Sequence, residues 1–185
     1  MGLRRNSAKQ NVFLRSPHRW LLLEKGEVEP VILMSKIDEI YMSEAVKEAK
    51  KAFDDDEVPV GAVIVHERKI IARAHNQIRR LKDPTAHAEM IAITQAASHL
   101  KCERLLNCDV YATIEPCSMC AGALILAKVK RIVFGAKDPK TGACGSVFNI
   151  ASGKKLNHNI KITKGVLAAE CGGLLTEFFK SKRKK

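Results

Sequence analysis

His87-Ala88-Glu89 and Pro116-Cys117-Ser118-Met119-Cys120 decide how this chain is read. The first stretch is H-x-E and the second is P-C-x-x-C. One imidazole and two thiolates make three ligands of the kind zinc takes, and three leave one tetrahedral position open for water. A structural zinc site normally fills all four. Glu89 is not needed to hold the metal. It is the proton carrier that hydrolysis at such a centre requires. Thiolate ligands favour zinc over hard cations. Taken singly the pieces say less. H-x-E is commonly surface charge on a helix, C-x-x-C is shared with redox and structural zinc motifs, and Pro before Cys fits any helix start. The combination is specific: His87 at one helix start, Cys117 and Cys120 at the next, and one strand between them.

Outward from these motifs, strands alternate with helices. Apolar spacing predicts a helix over 36–53, with Ile37, Ile40, Tyr41, Ala45, Ala49 and Phe53 on one side, ended by Asp54-Asp55-Asp56-Glu57. Strands follow over 60–65 and 69–74, joined by a hairpin at Glu67-Arg68. A helix is expected over 86–100, a strand over 108–113, and a helix over 116–127 opened by Pro116. A strand over 131–135 leads into a loop marked by Gly135, Gly142 and Gly145. A short strand over 159–163 and a helix over 168–180 close the pattern. This is an α/β chain with a mixed five-stranded sheet covered on both faces. His87, Cys117 and Cys120 then lie in the first turns of two helices that point at one place. The positive end of a helix favours thiolate over thiol, which helps the cysteines bind a metal at neutral pH.

The length of 185 residues suits one domain with a full core. Of the net charge of +12, residues 1–33 carry +3 and the end Lys180, Lys182, Arg183, Lys184 and Lys185 carries +5, leaving +4 for the body. The basic end reads two ways, as a binding arm for a polyanion or as a solvated terminus. Six cysteines in a chain of this size argue against a disulfide scaffold. Cys102, Cys108, Cys144 and Cys171 read as small buried apolar residues, with Cys144 alternatively an exposed, oxidisable thiol. No apolar run approaches the ~18 residues that span a bilayer, and no secretory leader is evident. These features point to a cytoplasmic chain with no membrane partner. Residues 1–33 are expected to be a disordered, dispensable extension or to lie upstream of a working start at Met34. Residues 34–180 form the catalytic domain, and 181–185 the basic tail.

The chain resembles the bacterial-type tRNA-specific adenosine deaminases of the cytidine deaminase-like superfamily, from about Ser43 to Lys180. Besides the zinc motifs, the resemblance rests on Val58-Pro59-Val60-Gly61-Ala62, Ala74-His75-Asn76, Thr113-Ile114-Glu115-Pro116 and the run from Phe134 to Ala143. It continues in Leu156-Asn157-His158 and Glu170-Cys171-Gly172. It implies the three-layer cytidine deaminase-like fold and one Zn2+ per subunit. It also implies hydrolytic deamination of adenosine to inosine at the wobble position of an anticodon stem-loop, and a homodimer. It implies that His87, Cys117 and Cys120 hold the metal and that Glu89 moves the protons. Asn76 and the backbone N–H of Ala88 would read the flipped base. Asp138 would contact the ribose just 5′ of it, and Phe178, Phe179, Lys180, Lys182 and Arg183 would lie along the anticodon loop. Two other readings are open at this point: a deaminase of a free guanine- or cytosine-type base or nucleoside, and a non-catalytic, zinc-stabilised RNA-binding module. If the basic end binds phosphates, the affinity for a tRNA stem-loop falls steeply as salt rises, measured by titration at several salt concentrations. Salt-insensitive binding would contradict that role.

Overall fold

The computed structural model describes residues 30–152 and 156–183. The expectation of disorder over the N-terminal extension falls mostly outside these residues, as do Lys184 and Lys185. The order is α1 (Pro30–Asp54), β1 (Gly61–His66), β2 (Lys69–His75), α2 (Ile78–Leu81), α3 (Ala88–Leu100), β3 (Asp109–Ile114), α4 (Ser118–Leu126), β4 (Arg131–Ala136), β5 (Lys161–Lys164) and α5 (Ala168–Arg183). Every expected strand and long helix is present. The first helix starts at Pro30 rather than 36, and the last continues to Arg183 rather than 180. The short helix α2 was not anticipated.

The sheet runs β2-β1-β3-β4-β5. β1 is antiparallel to β2 and β3, while β3, β4 and β5 are parallel. The β1–β2 hairpin closes through Glu67 and Arg68, both at positive φ, a two-residue turn whose twist matches that of the strands. Alternate side chains face opposite ways along a strand, and here they feed two separate cores. Ala62, Ile64, Val110, Ile132 and Phe134 pack with Ala88, Ala92 and Ala96 of α3 and Ala121, Leu124 and Ile125 of α4. Val63, Val65, Tyr111 and Val133 pack with Met42, Ala45 and Val46 of α1 and Cys171 of α5. The result is three layers, with α3 and α4 on one face and α1 and α5 on the other.

Two close approaches set the α1/α5 layer. A Cβ on Gly61 would fall on the backbone of Ala45 and Ala49 in α1. One on Gly135 would fall on Cys171 Sγ in α5. Gly135, read as the last residue of its strand and the first mark of the loop, is a packing residue inside β4. A buried polar cluster ties the same helix to the sheet. Arg131 donates to both Asp38 oxygens (2.9 and 2.8 Å), to Asp109 (2.8 Å) and to the Tyr111 oxygen (2.8 Å). Tyr111 in turn donates to Asp38 at 2.7 Å. The Asp38 and Arg131 side chains are each 8% exposed. Removing one partner of such a pair strands the other charge. Asp38→Ala should therefore lower stability by about 3 kcal/mol, seen as a lower urea midpoint with unchanged slope. An unshifted midpoint would show that the cluster does not anchor α1.

Candidate metal centre

α3 and α4 lie side by side and start at the same end of the sheet. His87 is the N-cap residue of α3 and Cys117 that of α4, both in extended conformation. Each expected ligand at a helix start is in place, one step earlier than the first turn for His87 and Cys117. Pro116 precedes the cap rather than opening the helix, and its carbonyl accepts from the Ala143 N–H at 2.8 Å. His87 Nδ1 lies 3.8 Å from Cys117 Sγ and 3.6 Å from Cys120 Sγ. The three ligand atoms lie within 4.8 Å of one another, a group that could hold one metal ion. Contact with Cys120 draws the Cys117 thiol down to about 4, helped by His87 and against the burial that would raise it. The same contact pushes Cys120 up. A cation between the sulfurs displaces that proton, as metal binding to cysteine does generally.

Glu89 sits in the first turn of α3, 2% exposed, and burial raises its carboxyl above the ordinary range. Its Oε2 is buried with no hydrogen-bond partner. An orphaned carboxylate oxygen costs free energy unless something else binds there. Together with two sulfurs and an imidazole as donors, it fits a zinc ion with an open water position.

Neither N-cap residue uses its side chain as a cap. For α3 the substitute is Asn76 at the end of β2, whose Oδ1 accepts from the Ala88 N–H at 2.9 Å. The Ala88 N–H, expected to help read the base, donates to Asn76 here. Asn76 is itself buried, with its amide NH2 still able to donate.

Asp138 opens the loop that follows β4. Its Oδ1 accepts from the amides of Lys140 (2.8 Å) and Thr141 (3.2 Å), and its other oxygen from the Thr141 hydroxyl. Burial would raise its carboxyl, but these bonds outweigh it and hold the group below its usual range. Cys144 is buried and raised to about 12 by that burial, so it is not an exposed, oxidisable thiol. Cys102, by contrast, is exposed rather than buried.

At the end of α5 the expected row of side chains divides. Phe178 is buried, edge-on to Phe53 with centroids 5.7 Å apart. Lys182 pairs with Asp56 and stands 5.1 Å over the Phe178 ring. These two fasten α5 to the end of α1. Phe179, Lys180 and Arg183 are exposed. Sequence reasoning quoted Glu115 only as part of a motif. It is a buried carboxylate just before Pro116, and its place between an apolar strand and a metal-ligating helix was the available signal.

The family model for the cytidine and deoxycytidylate deaminase zinc-binding region matches residues 35–136. The tRNA-specific adenosine deaminase of Bacillus subtilis is 49% identical over 148 residues, 80% of this chain and 92% of the relative. That of Aquifex aeolicus is 48% identical over 145 residues, 78% of this chain and 95% of the relative. A solved structure from a study of A-to-I editing by tRNA deaminases at the wobble position is 41% identical. It covers 74% of this chain and 99% of its own, with a TM-score of 0.71. Alanine at Cys117, Cys120 or His87 should lower bound zinc from about one equivalent per chain to a small fraction of it, read by atomic spectroscopy. Full zinc in all three variants would contradict this ligand set. On matches of this extent, the chain belongs to the tRNA-specific adenosine deaminases of the zinc-dependent cytidine deaminase superfamily.

Proposed function

We propose that the protein hydrolyses adenosine to inosine at the wobble position of a tRNA anticodon, with one zinc ion per subunit. The observation that carries the reading is the meeting of three metal-ligating atoms with the buried, unpartnered oxygen of Glu89. Bound zinc supplies the Lewis acid that brings a water's pKa toward ~7. Glu89 would take a proton from the attacking water and pass it to a ring nitrogen of the base, then take the remaining proton of the added hydroxyl and give it to the amino group, which leaves as ammonia while the carbonyl forms. Burial suits it to that work, because a carboxyl raised toward neutrality can both accept and release a proton. Asn76, its oxygen held by Ala88, presents its amide NH2 to the flipped base. Asp138 meets the ribose of the preceding nucleotide.

An unpaired anticodon base is taken out of the stack at low cost, which suits an enzyme that must engulf its target. Phe179, Lys180 and Arg183 at the exposed end of α5 are the side chains left to meet the loop's bases and phosphates. The reading includes a homodimer, for which the 80%-exposed Leu126 at the end of α4 is a candidate contact. Among the described residues no helix is long and apolar enough to cross a membrane. A cytoplasmic location goes with a tRNA substrate.

The test is an anticodon stem-loop with a wobble adenosine, run beside free adenosine, guanine and cytidine. Wild-type protein should yield inosine in the RNA. Glu89→Ala should keep its zinc and its RNA affinity while losing about 10²–10⁴-fold in rate. Turnover of a free base with the stem-loop inert would move the function to small-molecule deamination.

A further inference from the structure

Glu115 is 1% exposed, and among the described residues no Lys or Arg pairs with it. Its carboxylate is instead surrounded by donors from one loop. Cys144 N–H (2.9 Å) and Ser146 N–H (3.0 Å) reach Oε1, and Asp138 N–H (3.3 Å) and the Ser146 hydroxyl reach Oε2. Gly142 lies so close that a Cβ there would sit 2.6 Å from the Glu115 carboxyl carbon. The next two residues continue the contact. Pro116 O accepts from Ala143 N–H at 2.8 Å, and Cys117 forms an isolated bridge with Gly142. Glu115, Pro116 and Cys117 are therefore a continuous edge on which residues 138–146 are seated, and the last of the three is a metal ligand.

We infer that Glu115 is a positioning residue which sets the Asp138 loop in register with the metal centre and thereby determines how well RNA, rather than a free nucleoside, is bound. A charged acceptor makes shorter and stronger hydrogen bonds than a neutral one, so it can fix the register of a loop that is otherwise held by backbone contacts and by the burial of Ala143 and Cys144. The loop starts at Asp138 and ends at the exposed Val147 and Phe148, so it spans from the candidate ribose contact to open surface. Loosening it moves Asp138 relative to the metal without removing any ligand. The inference rests on the adenosine-deaminase reading above.

The experiment compares zinc content, kcat and KM for the wobble-adenosine stem-loop in wild type, Glu115→Gln, Glu115→Asp and Ser146→Ala. Glu115→Gln keeps the shape but turns one acceptor into a donor. It should retain zinc and raise KM for the stem-loop about tenfold, with a smaller change in kcat. Glu115→Asp should recover part of that loss. Ser146→Ala, at a residue on the exposed side of the loop, removes only the hydroxyl that donates to Glu115 Oε2, and should raise KM about threefold. Adding Asp138→Ala to Glu115→Gln should raise KM less than the two single effects combined, since both act through one loop. A fall in kcat that tracks lost zinc would make Glu115 a mere support for Cys117 and overturn the inference. An unchanged KM in Ser146→Ala would do the same, even if Glu115→Gln failed to fold. If wild type itself made no inosine in the stem-loop, the functional reading would fail first, and by a different signal.

Discussion

Two helices have to start at the same point, and much of the structure serves that requirement. α3 and α4 are separated in sequence by a strand at the centre of the sheet, so the chain crosses the molecule once and returns to the same end. Small residues, Ala88, Ala92, Ala96 and Ala121, let both helices sit close on the sheet face. The meeting of two positive helix ends favours thiolate over thiol and makes a metal the natural occupant. Because the caps of both helices are the ligands themselves, capping is supplied from elsewhere. Asn76 does this for α3 through the Ala88 N–H.

The opposite layer is stabilised differently. α1 and α5 are held by close backbone approach at Gly61 and Gly135 and by the buried Asp38–Arg131–Tyr111 cluster. Desolvated ion pairs contribute little net stability, but leaving one half-made is severely destabilising. That suits a cluster that specifies where α1 sits rather than one that adds much to stability. Phe178 and Lys182 extend the same role to the end of α5, so only part of the basic terminus is left facing outward.

The elements and the metal ligands were legible because they rest on local signals. Continuous apolar runs mark β1, β3 and β4 as strands buried on both faces, and motif spacing places His87, Cys117 and Cys120. What escaped depends on contacts across the fold. Nothing near Phe178 in sequence announces Phe53 as its partner, so a core ring was read as a surface one. The bond from the Ala88 N–H to Asn76 has no local signal, because the accepting oxygen comes from just past β2. Cys144 is buried, as its reading with the small apolar residues has it, and the alternative of an exposed thiol fails because its loop seats on Glu115. Gly135 falls in the strand that its apolar run predicts, but its close approach to α5 has no local signal. Helix α2 is a single turn and carries no periodicity to detect.

The central claim is an open coordination position beside Glu89, held by three protein ligands. Zinc-edge X-ray absorption on the metal-loaded protein tests it directly. The account predicts two sulfur ligands at about 2.3 Å, one imidazole nitrogen at about 2.0 Å and one oxygen from solvent. A third sulfur or a second imidazole in the shell would close the site and make the metal structural, and the catalytic reading would fall with it.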